Sequence, residues 1–140
     1  MAMWNVDLTT EDGALRAAQL GGFACLIAAG LGLIGLIVIG VTSNGASLPM
    51  PLVAGLAGAA VEVVLFGAAA LRLRAGKGIV WGSVAAVLLA VELVMKIMTL
   101  AVVGILIDAI LLIGVVNGIR GVRALGRIDL KPADAAEIFN

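Results

Sequence analysis

The chain has 140 residues, of which 63% are hydrophobic and 13% charged, with 19 glycines and a formal net charge of zero; its mean hydropathy is +1.23. Soluble domains run at roughly 45–50% apolar and about 25% charged, so a globule this small and this apolar has too little polar surface to cover its core, and lipid is the solvent that suits it. Zero net charge excludes a nucleic-acid partner held on a concentrated cationic face, while the lack of His and the single Cys25 exclude an intrachain disulfide, a Cys/His zinc site and a Cys–His nucleophile pair.

The N-terminal segment places Asp7, Glu11 and Asp12 where a cleavable signal carries positive charge. The apolar run behind them is too long for a signal core, so no signal peptide is expected. Ala2 and the terminal Ile138-Phe139-Asn140 fit no lipidation motif. Thr9-Thr10-Glu11-Asp12 reads as a helix N-cap followed by first-turn acids. The first apolar run, residues 17–41, then contains no charged residue and stops at Thr42-Ser43-Asn44-Gly45, a turn-forming string. About 20 apolar residues at 1.5 Å each cross about 30 Å of hydrocarbon, so this run is a spanning helix. Cys25, in its middle, reads as a small packing residue.

The second run, residues 51–71, begins at Pro51, which is preset for a first helical turn. It ends in a basic loop of Arg72, Arg74 and Lys77 with Gly76 and Gly78. The third, residues 79–100, carries Trp81 at an expected interface. The fourth, residues 101–119, follows almost without a break. Residues 79–119 are too long for one crossing, so a tight helical turn is expected near Thr99. The tail from Lys131, with Pro132 ahead of an Ala- and acid-containing stretch, is expected to form one or two helical turns or none.

The expected fold is therefore all-α: one 140-residue domain, an integral membrane four-helix bundle of two antiparallel hairpins. Arg16, the Arg72–Lys77 loop and Arg120, Arg123 and Arg127 share one side after four crossings, whereas the loop of residues 42–50 is uncharged. The positive-inside rule puts that basic side, with both termini, in the cytoplasm. The expected location is a plasma membrane, of the bacterial inner-membrane kind. Small-residue spacings suit close helix contact in lipid: Ala18 to Gly22 and Ala28 to Gly32 in the first span, Gly55 to Ala59 in the second, Gly114 to Gly118 in the fourth.

Glu62, Glu92, Lys96 and Asp108 lie inside these runs, where charge is costly enough to raise a functional hypothesis by default. From the helical rise, Glu62 lies about 16 Å, Glu92 about 11 Å, Asp108 about 10 Å and Lys96 about 5 Å below the outer ends of their spans. All four thus fall at heights that side chains can bridge, and Glu92 and Lys96, four residues apart, share a helix face. Three acids and one base leave a net charge of −2 if all are ionised. Protons on the acids, a bound cation or entering water would each relieve it. The same residues also fit a structural role, as a satisfied pair near the surface or as polar glue between helices. Asn117, about half a turn of the circle from Asp108, is expected to serve helix–helix hydrogen bonding.

No phosphate-binding loop, nucleophile elbow or zincin motif is present, and the glycines of residues 30–35 follow no strand. An enzyme is therefore not expected, nor any cofactor or metal centre. The leading expectation is a homo-oligomeric membrane protein using Glu62, Glu92 and Asp108 for proton- or cation-coupled transport of a small solute, or for ion binding. The alternative is a non-catalytic accessory or scaffold subunit of a larger membrane complex.

Overall fold

A computed structural model describes residues 8–42 and 50–129. It contains four helices, α1 (Glu11–Thr42), α2 (Met50–Arg74), α3 (Ile79–Met98) and α4 (Val102–Asp129), with no strand among the described residues. The turn string after Thr42 and the tail from Lys131 lie outside them.

Local chemistry accounts for the helix ends. The Thr10 hydroxyl accepts the Gly13 N–H at 3.2 Å, and Glu11 and Asp12 follow in the first turn, so α1 starts at a side-chain cap with acids against the positive end of its dipole. α2 stops because Gly76 adopts φ 67. Its N–H donates to the Leu73 carbonyl and that of Lys77 to the Arg72 carbonyl, both at 3.0 Å, the paired closure of a left-handed C-terminal cap. The same closure ends α3, with the Ala101 N–H on the Lys96 carbonyl at 3.0 Å. There the left-handed position falls on Leu100, at φ 54, where a side chain is disfavoured. The tight turn expected near Thr99 is thus residues 99–101.

Each helix packs chiefly against two neighbours in the order α1, α2, α3, α4 and back to α1, with a slight α2–α4 contact across the middle, which sets α1 diagonally across from α3. The α1–α4 and α1–α2 contacts are the most extensive, and α2–α3 the least of the four. Gly22 lies on Ala70 and Arg74 and Gly32 on Val63, while Gly21 meets Gly118 and Gly121 meets Ala14 and Ala18. Partners therefore run in opposite sequence order along α1–α2 and α1–α4, and Arg16, Arg72, Arg74, Lys77, Arg120, Arg123 and Arg127 all gather at one end of the bundle.

The α1–α4 seam is built from residues with little or no side chain. A Cβ added to Gly118 would fall 2.6 Å from the Gly21 Cα, and one added to Gly114 would fall 2.9 Å from the Ala24 Cβ. Gly32 is similarly close to Val63, at 2.9 Å. Gly55 departs from the expectation: a Cβ there meets nothing within 4 Å, so it takes no part in packing inside the bundle. The spacing rule identifies close approach only where the glycine's face turns toward a partner helix, and at Gly55 that face looks onto open space.

α4 also outlasts its apolar run by ten residues, from Ile119 to Asp129. The extension stays helical because Gly121 and Val122 are buried against the N-terminal turns of α1, where Ala14, Ala17 and Ala18 are fully buried. Arg120, Arg123 and Arg127 face outward. At the other end α1 and α2 overhang: from the Gly21–Gly118 crossing α1 continues 21 residues to Thr42 and α4 only 16 to Val102, a difference of about 8 Å at 1.5 Å per residue.

The core is narrow, with Leu73, Leu89, Val115 and Cys25 its largest fully buried side chains. The outside is apolar almost throughout, Ile34 at 59% and Val64 at 69% exposure among many, far beyond the apolar patches that water-soluble monomers show. All four helices are long and apolar enough to cross a membrane.

Candidate functional site

The end of the bundle away from the cations holds a cavity of about 210 Å³ walled by all four helices. Glu62 enters from α2, Glu92 and Lys96 from α3 and Asp108 from α4, so all four sequence-identified ionisable residues line one space. Asn117, on the opposite side of α4, is not part of it.

Lys96 is the hub. Its Nζ lies 2.6 Å from Asp108 Oδ2 and donates a hydrogen bond of 2.8 Å to Oδ1; Glu92 Oε2 is further away, at 3.3 Å. The sequence spacing makes Glu92 the natural partner, since the two share a helix face. The structure gives the shorter contacts to Asp108, across the α3–α4 interface. What makes this possible is Gly104, one turn before Asp108 on the same face of α4. A Cβ added there would lie 3.0 Å from Lys96 Cδ, so the lysine stem occupies the place of the missing side chain. A glycine four residues ahead of an intramembrane acid was the available signal for that path.

Burial within the cluster is uneven. Asp108 is 3% exposed and is the one buried charged residue among the described residues, while the Lys96 and Glu92 side chains are about a third exposed, at 34% and 33%. Asp108 Oδ2 lies against the ammonium at 2.6 Å, so the buried carboxylate is paired through both oxygens. Glu62 lines the same cavity from α2, and three acids with one base leave a net charge of −2 if all four are ionised. Among the described residues no three carboxylates are grouped to hold a metal ion.

Beneath the charges the walls turn apolar. Phe66, Leu89 and Leu111 are 2%, 1% and 6% exposed and close the floor, with Val115 and Leu73 fully buried below them. Sequence periodicity does not single these residues out, because in a span hydrophobic on every side nothing distinguishes a plug residue from a lipid-facing one. The cavity is therefore a vestibule with a dry base. Comparison with known protein families, with curated proteins and with solved structures returns no match for this chain.

Proposed function

We propose that the chain crosses the bilayer four times, with both termini and the arginine-rich end in the cytoplasm, in a plasma membrane of the bacterial inner-membrane kind. In this reading the Glu62–Glu92–Lys96–Asp108 vestibule is a proton- or monovalent-cation-binding site open to the outer side, the coupling element of a small-solute transport unit. The observation that supports it is the convergence of three acids and one base, drawn from three helices, on a single cavity whose charges do not cancel. Four helices enclose little volume, so the working unit is taken to be a homo-oligomer. The experiment is reconstitution into liposomes with a pH-sensitive reporter. Glu62→Gln should abolish pH-dependent binding or flux, and an E62Q variant whose signal matches the wild type across the pH range removes this function.

One observation favours a second reading, a non-catalytic accessory subunit. The α1–α2 overhang stands clear of the rest of the bundle, with open space over Gly35, Gly55 and Gly58, and small residues are what close helix contact in lipid uses. That reading expects a larger membrane protein to co-purify in mild detergent. Recovery of the chain solely with itself speaks against it.

A further inference from the structure

A second groove, of about 450 Å³, lies at the arginine-rich end between α1 and α2. Its walls are Arg16, Gln19, Leu20 and Phe23 from α1 and Arg74 from α2. The polar members come first along α1 and the apolar ones follow. From Arg16 to Phe23 the groove climbs about 10 Å toward the hydrophobic zone. Leu20 and Phe23 are 43% and 56% exposed, so the apolar upper wall has no cover within the bundle.

Two guanidinium groups from different helices share this groove, and among the described residues no carboxylate pairs with either. Like charges normally spread apart on a surface. Here Arg74 is held in place by packing, because its aliphatic stem lies on Gly22: a Cβ added to Gly22 would fall 2.5 Å from Arg74 Cγ and 2.8 Å from the Ala70 carbonyl oxygen. The missing side chain of Gly22 thus seats Arg74 beside α1. Arginine offers a planar fork of donors that matches phosphate oxygens, and Gln19 adds an amide between them.

We propose that this groove binds an anionic glycerophospholipid, its phosphate held by Arg16, Arg74 and Gln19 and one acyl chain lying on Leu20 and Phe23. Basic pockets between helices at the cytoplasmic face suit such headgroups, and the two-part wall fits an amphiphile better than a free anion. The proposal rests on the membrane orientation above and is independent of any role of the acid vestibule.

The test is native mass spectrometry of the full chain released from detergent, with phosphatidylglycerol or phosphatidylcholine added in turn. The wild type should retain phosphatidylglycerol in preference to phosphatidylcholine. Each of R16Q and R74Q should weaken retention about fivefold, and the pair about 25- to 30-fold. G22A should weaken it as well, since it displaces Arg74 while leaving both charges. R123Q/R127Q serves as the control for diffuse attraction and should leave most of the bound lipid. Equal retention of phosphatidylcholine, undiminished retention in R16Q/R74Q, an equal loss in R123Q/R127Q, or full displacement by inorganic phosphate would each overturn the proposal. Failure of the protein to float with vesicles on a density gradient would instead overturn the membrane orientation on which it rests. Both arginines are exposed, so the substitutions spare the core; matching unfolding curves confirm that retention reports on binding.

Discussion

Replacing Lys96 by methionine gives the most direct measure of what holds the vestibule together. The substitution keeps the length of the stem against Gly104 but removes the ammonium that Asp108 contacts at 2.6 Å and Glu92 at 3.3 Å. Removing one member of a buried pair leaves the other charge uncompensated, at a cost of about 3–5 kcal/mol. Asp108 meets that condition at 3% exposure, but Lys96 is a third exposed and partly screened, so a cost of about 2–3 kcal/mol is expected for K96M. D108N removes the buried charge itself and leaves Lys96 with Glu92, costing about 1–2 kcal/mol for the lost charged hydrogen bond. The double variant K96M/D108N should therefore be more stable than K96M alone, by about 1 kcal/mol, because it no longer buries an unpaired carboxylate. Equilibrium unfolding in mixed micelles measures all three. If K96M lies within about 0.5 kcal/mol of the wild type and D108N brings no rescue, the pair is not a buried one and the reasoning fails.

Gly118→Ala should destabilise the bundle by about 2 kcal/mol in the same assay, since the overpacking cost of about 3 kcal/mol at a backbone-to-backbone contact outweighs about 1 kcal/mol of helix propensity. Gly55→Ala, in open space, should be neutral or stabilising by up to about 1 kcal/mol, and equal effects at the two sites would contradict the α1–α4 seam. Cys25 is fully buried and should resist maleimide in the folded protein yet label fully once unfolded; rapid labelling in mild detergent would mean that α1 does not pack as described. Phe66→Ala should cost about 3–5 kcal/mol and, by opening the vestibule floor, give liposomes a proton leak absent from the wild type. An F66A variant that stays proton-tight would show that the seal lies deeper, at Val115 and Leu73.

Much of the architecture is legible in the sequence because the bilayer imposes long, uncharged runs and turn chemistry interrupts them. Thr10 caps α1 as its position before Glu11 and Asp12 implies, and the interruption near Thr99 emerges although no glycine or proline marks it. Leu100 takes the left-handed position there, which explains why residue preferences alone give no sharp boundary. Depth along each helix needs only the rise per residue, so the common height of Glu62, Glu92, Lys96 and Asp108 follows from counting. Rotation about each helix does not. Spans apolar on all sides carry no stripe to show which face turns inward. For that reason Gly55 reads in the sequence like Gly114 and Gly118, the four-residue spacing from Gly104 to Asp108 is the one hint of where Lys96 runs, and Phe66 and Leu111 look the same as lipid-facing neighbours.

The two ends of the bundle differ for one underlying reason, the distribution of side-chain bulk along α1 and α4. Toward the arginine-rich end Gly21, Gly118 and Gly121 with Ala14, Ala17 and Ala18 bring backbones into contact, and Leu73, Val115 and Cys25 are fully buried beside them. Beyond Ala24 and Gly114 the helices part round the cavity, which Ala28, Gly32 and Gly104 wall together with the charged side chains, and α2–α3 is the least extensive of the four interfaces between neighbouring helices. If the cavity binds an ion or proton as proposed, passage to the arginine-rich side requires Phe66, Leu89 and Leu111 to part, and α2–α3, the least extensive of the four interfaces between neighbouring helices, is where they can do so at least cost in packing. If α2 and α3 were cross-linked near the vestibule and transport persisted, the route would have to lie between subunits instead of within one bundle.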